Sequence, residues 1–157
     1  MKTKISLDDG FNINMHVFGP EDGKPMLGLH GLMDNAASFD LLAPYLEGIR
    51  LYAIDLPGHG FSDFLPPYCE YTFDNLIPFI FKIADALGLK TFSIIGHSFG
   101  AIIGELCAAA IPDRIEKLVL LDIMGIRTAS DEKIINAILD HIKRYQSPLP
   151  AHTLYQS

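Results

Sequence analysis

The sequence predicts an α/β fold with a mostly parallel sheet and helices on both faces. Three observations lead there. Short apolar runs rich in β-branched residues alternate with helical patterns, which implies crossover connections and a sheet covered on both sides. The first two runs are separated by Asp8-Asp9-Gly10, and Asp-Gly is a turn dipeptide, so the chain opens with a hairpin. Further on, Thr91-Phe-Ser-Ile-Ile passes through Gly96-His97-Ser98-Phe99-Gly100 straight into a helix-forming stretch, Ala101-Ile-Ile-Gly-Glu-Leu-Cys-Ala-Ala-Ala.

Taken in order, strands are expected near 3–7, 12–18, 26–30, 50–55, 91–96 and 116–123, where apolar runs are short and bounded by turn residues. Helices are expected over 38–46, 71–88, 98–111 and 131–145. The second begins near Thr72 and stops at Gly88, since glycine can take the left-handed C-terminal conformation. Pro78 inside it predicts a kink or a late start. Gln146-Ser-Pro-Leu-Pro reads as an irregular turn or linker. Residues 1–125 therefore form the sheet-bearing part, and 126–157 an appended segment.

Bulk properties exclude several function classes. Hydrophobic residues make up 49% of the 157, enough for a packed core. The net charge is −7 and the 12 Lys and Arg are scattered, so no footprint for nucleic acid exists. Acidic residues follow Met1-Lys-Thr-Lys-Ile-Ser-Leu where an apolar signal core would lie, and no run reaches membrane-spanning length. A cytoplasmic protein without a membrane span is expected. Cys69 and Cys107, with no Cys-x-x-Cys and no histidine pair at ligand spacing, read as idle thiols, and neither metal nor cofactor is expected. Gly58-x-Gly60 is no dinucleotide fingerprint, because Asp63 stands where the third glycine belongs and no helix begins there.

Chemistry concentrates at Gly96–Gly100. A bare Gly-x-Ser-x-Gly arises by chance in roughly one chain in twenty of this length, so its weight comes from the strand before it and the helix after it. A serine displayed on such a turn takes a strained backbone conformation. The residues two before and two after it, here Gly96 and Gly100, must then be small for strand and helix to pass closely. The helix N-terminus also aims free N–H groups and its positive end at any oxyanion forming beside Ser98. The competing reading is a glycine-rich turn whose serine merely caps the helix.

Two further blocks precede it: Met26-Leu-Gly-Leu-His30-Gly31 breaking into Leu32-Met33-Asp34-Asn35, and Asp55-Leu-Pro-Gly-His-Gly-Phe-Ser-Asp63, a loop read mainly as turn chemistry. In this order and spacing the three blocks resemble the α/β-hydrolase superfamily. The stretch from Leu29 to Asp122, with Ile-Ile-Gly-His-Ser-Phe-Gly and Lys-Leu-Val-Leu-Leu-Asp, is most similar to its serine hydrolase-like branch. The resemblance implies that Ser98 is the nucleophile, that the N–H groups of Leu32 and Phe99 form the oxyanion hole, and that His30 and Gly31 hold the loop.

The superfamily order of serine, carboxylate, histidine directs the search for partners beyond residue 98. Asp122, closing the sixth strand, is a candidate acid, the competing reading being a loop-capping aspartate. His141 lies on an expected helix and His152 in the tail, and neither follows a strand. The family's histidine follows an eighth strand, whereas about six are counted, so the chain resembles the N-terminal part of a longer hydrolase. It would end before the last two strands, within the start of a cap. The sixth strand would then be an apolar sheet edge through which a homodimer could form.

A serine nucleophile favours esters, thioesters, amides or activated carbon–carbon bonds. Met33, Phe39, Phe99, Ile123 and Met124 are expected around a small apolar acyl substrate, although a plain core role serves each equally well. The alternative class is a non-catalytic binding protein on the same fold.

Overall fold

The computed structural model describes residues 1–123, and Met1–Met124 form one compact unit. The expected helix over 131–145, the cap segment, Met124, His141 and His152 lie outside the described residues. Six strands form one sheet: β1 (Lys2–Ser6), β2 (Asn12–Phe18), β3 (Lys24–Leu29), β4 (Ile49–Ile54), β5 (Phe92–His97) and β6 (Ile115–Leu121). Their order is β1-β2-β4-β3-β5-β6. β1 and β2 are the expected antiparallel hairpin, closed over Gly10 at φ 83°, and β2 also runs antiparallel to β4. The pairings β3–β4, β3–β5 and β5–β6 are all parallel. Most strand boundaries fall within two residues of the expected ones.

The helices α1 (Phe73–Ala86) and α2 (Phe99–Ala110) cover one face. Their apolar sides meet the inward residues of the sheet, with Ile13, Leu27, Leu29, Ile54, Leu76, Ile80, Ile94 and Ile103 inaccessible or nearly so. α1 ends at Ala86, and Gly88 terminates it as expected: its φ is 71°, and the N–H groups of Leu89 and Gly88 return to the carbonyls of Ala84 and Asp85 at 2.8 and 2.9 Å, a Schellman closure. Pro78 does not delay the start, because the helix begins at Phe73 and runs through it at the cost of one i→i−4 bond.

The helix expected over 38–46 is corrected to two 3-10 turns, Ala36–Phe39 and Ala43–Tyr45. The segment closes through i→i−3 bonds, from Asp40 N–H to Ala37, Leu42 N–H to Phe39 and Leu46 N–H to Ala43, and Pro44 removes one of the donors that an α-helical ladder would use. The first turn is held by Asn35, whose side chain accepts from the Ala37 N–H at 2.9 Å, and it lays Phe39 over Gly28 on the second face of the sheet. Phe39 is therefore core, 2% exposed, and lines no acyl pocket.

From β3 the chain passes to β4 on one side and later to β5 on the other, which makes the C-terminal ends of β3 and β5 a topological switch point. Loops leaving adjacent parallel strands in opposite directions open a crevice there. The loop after β3 and the Ser98 turn both lie at this crevice. Among the described residues β6 is a sheet edge, with alternating half-buried and exposed residues from Leu118 to Leu121, and no helix is long and apolar enough to cross a membrane.

Candidate active site

Ser98 has φ 48° and ψ −108°, a combination that a residue with a side chain adopts only under constraint. Its N–H donates to the carbonyl of Leu121 at 2.9 Å, and its own carbonyl accepts from Ala101 and Ile102, so strand and helix both grip the turn. The hydroxyl makes no capping bond to α2, which removes the competing reading of a helix cap.

The flanking glycines are required by contact with backbone. A Cβ on Gly96 would stand 2.5 Å from the carbonyl oxygen of Gly100 and 2.6 Å from Cα of Ala101. One on Gly100 would overlap the carbonyl oxygen of Leu29 and stand 2.6 Å from that of His30. The second contact presses the start of α2 onto the end of β3. A Cβ on Gly31, in turn, would be 3.7 Å from Cβ of Ser98. The loop after β3 and the serine turn are thus in van der Waals reach of each other.

Leu32 and Phe99 sit one on each side of this junction. Among the described residues neither N–H donates a hydrogen bond, while Asp34 N–H closes the loop onto the Gly31 carbonyl at 3.2 Å. Met33 holds φ 65° and, with Leu32, turns its side chain to solvent, 83% and 63% exposed. The half-buried Phe99 ring packs against Phe73 of α1, centroids 5.3 Å apart and planes tilted by 32°.

His30 is wholly buried and bonded at both nitrogens. Nδ1–H donates to the Gly31 carbonyl at 2.7 Å and Nε2 accepts from the Leu56 N–H at 3.0 Å, so the ring ties the loop after β3 to the loop after β4. An Nε2 that accepts from a backbone N–H carries no proton. Burial, and less strongly the nearby His59, push this imidazole below the ordinary histidine value of 6.5. The folded protein thus holds His30 neutral while the unfolded chain takes up a proton below pH 6.5. The contribution of His30 to stability is complete above pH 6.5 and is lost as pH falls from there toward the lowered folded-state value. Denaturant midpoints measured between pH 5 and 8 should show this acid-side loss in the native sequence and a flatter profile in His30→Gln.

The loop Asp55–Asp63 does more than its turn residues suggest. Asp55 is buried, and its carboxylate accepts from the N–H groups of Ala36 at 2.7 Å and Phe61 at 2.8 Å and from the Asn14 side chain at 2.8 Å. Asp63 accepts from both the backbone and the side chain of Asn12. Gly60 is small because a Cβ there would overlap the Asp55 carboxylate. These acceptors were missed in the sequence, although a charged residue directly after the apolar run Leu51–Ile54 was the available signal.

Asp122 lies just past β6, at the same sheet edge as Ser98, with φ 51° and its side chain 85% exposed. Its carboxylate is 4.0 Å from Nε2 of His97. Cys107 is buried in the core, where burial pushes its thiol up to about 12 and leaves no thiolate for chemistry; Cys69 is also free. No group of three or more potential metal ligands occurs among the described residues. A cavity of about 780 Å³ between the β1–β2 turn, residues 63–69 and α1 contains none of the predicted site residues and is a separate feature.

Residues 24–146 match the family described as the alpha/beta hydrolase fold. The chain belongs to the α/β-hydrolase family. Within it the chain stands in the serine hydrolase-like branch. It is 40% identical over 136 residues to a serine hydrolase-like protein of Dictyostelium discoideum, covering 85% of this chain and 38% of that protein. It is 38% identical over 122 residues to a human serine hydrolase-like protein, covering 77% and 60%. The crystal structure of a hypothetical protein from Pseudomonas aeruginosa superposes with a TM-score of 0.81 at 37% identity, covering 95% of this chain and 54% of that one. This α/β-hydrolase chain thus spans between 38% and 60% of the length of these relatives.

Proposed function

We propose that the chain carries the nucleophile and oxyanion hole of a hydrolase acting on an ester, thioester or related acyl substrate through an acyl-enzyme. The observation that carries this reading is the strained, uncapped Ser98 at the N-terminus of α2, within reach of the loop that offers Leu32. In the reaction the Oγ of Ser98 bonds to the carbonyl carbon, its proton passes to the histidine base that the family provides, for which no residue of this chain is assigned, and the carbonyl electrons move onto oxygen between the Leu32 and Phe99 N–H groups. Collapse expels the leaving group with that proton, and water then releases the acyl group. Asp122 is the proposed acid orienting the base. Residues 1–125 are read as the N-terminal part of the core and 126–157 as the beginning of a cap. The small apolar acyl substrate and a homodimer through β6 belong to the same proposal.

A non-catalytic binding role is the second reading. It is favoured by one observation: His30, the buried histidine of the adjoining loop, is bonded to backbone at both nitrogens and is not free to act as a base. A fluorophosphonate probe separates the two. The expected result is covalent labelling that disappears in Ser98→Ala, and an unlabelled native protein would favour the binding role.

A further inference from the structure

His97 is the middle residue of Gly96-His97-Ser98, a position that the motif treats as a spacer. Its ring does not behave as one. A Cβ on Gly31 would be 2.9 Å from Nδ1 of His97, so that edge of the imidazole lies against the loop after β3. The opposite nitrogen, Nε2, faces the Asp122 carboxylate at 4.0 Å, in the turn after β6. The residue on the serine strand is therefore flanked on its two edges by the two loops that border Ser98. The backbone repeats the arrangement, since the Ser98 N–H is bonded to Leu121, the residue before Asp122.

We propose that His97 is a positioning residue whose imidazole clasps the Gly31–Asp34 loop and the Asp122 turn to the strand that carries Ser98. One edge packs under Gly31 and keeps the Leu32 N–H facing the serine. The other attracts Asp122 and holds its left-handed turn at the crevice. The consequence for catalysis rests on the reading of Ser98 as a nucleophile; the clasp itself does not.

Hydrogen–deuterium exchange of segments 30–35 and 119–123 tests the clasp without any activity. In His97→Ala, exchange should rise about two- to fivefold in both segments, the size expected when a weak, partly exposed contact is lost, with β1, β2 and α1 unchanged. His97→Gln, which keeps a polar group at similar length, should restore most of the protection. Asp122→Asn, at a side chain 85% exposed, should raise exchange in 119–123 alone. Unchanged exchange in either segment of His97→Ala, or a rise spread over the whole sheet, would overturn the clasp. In the same proteins the fluorophosphonate should label Ser98 about tenfold more slowly in His97→Ala, since small misplacement of an oxyanion donor has large effects on rate. Equal labelling rates in native protein and His97→Ala would overturn the positioning role while leaving the nucleophile in place. Absence of labelling in the native protein would remove the nucleophile, and exchange would still decide the clasp.

Discussion

Gly100→Ala is expected to destabilise the fold by about 3 kcal/mol or more, at the upper end for overpacking, because the added methyl meets backbone and no side chain can rotate away. The obstructing atoms are the carbonyl oxygen of Leu29 and, at 2.6 Å, that of His30, both at the end of a central strand paired on both sides. Relief requires α2 to lift from β3. That movement would carry Phe99 N–H away from Leu32, so the substitution should also abolish labelling of Ser98. Denaturant unfolding measures the first effect. A Gly100→Ala protein of native stability would mean that the close approach of α2 and β3 is wrong.

Asp55→Ala should cost a comparable amount, about 3–5 kcal/mol, through a different mechanism. Removing the carboxylate leaves the Ala36 N–H and the Asn14 amide without their acceptor in a buried setting and the Phe61 N–H in a part-buried one, and each unsatisfied buried group costs on the order of 1–3 kcal/mol. The loss is felt in three elements at once: the 3-10 turn at Ala36, the loop at Phe61 and strand β2 at Asn14. Asp55→Asn should recover only part of it, because an amide offers one oxygen and turns a donor toward at least one of the existing donors. Denaturant midpoints of the three proteins should rank native, Asn, Ala. An alanine variant within 1 kcal/mol of native would show that water or rearrangement satisfies these groups.

These two residues mark how far sequence reasoning reached. Gly100 was legible, because the demand for a small residue follows from a strand turning sharply into a helix within five residues. Asp55 was visible only as the first residue of a turn-rich block. Its partners at Asn14, Ala36 and Phe61 are 41, 19 and 6 residues away, and nothing in local pattern joins them. His97 is the same kind of case: its neighbours at Gly31 and Asp122 come from the ends of other strands. The segment 38–46 differs again: it carries Pro44 and turns through i→i−3 bonds where apolar spacing alone suggests an α-helix.

By itself the sequence determined the alternation of strands and helices, the opening hairpin, the stop at Gly88 and the strand–serine turn–helix unit. All of these depend on backbone preferences and spacing within a few residues. Only the tertiary structure decided how closely Gly31 approaches Ser98 and His97, that His30 is buried and neutral between two loops, and that Asp55 binds three segments together. Those properties arise from the strand order, which brings the ends of β3, β4, β5 and β6 to one edge, and a hydrogen bond or a close approach has no existence until such ends are adjacent.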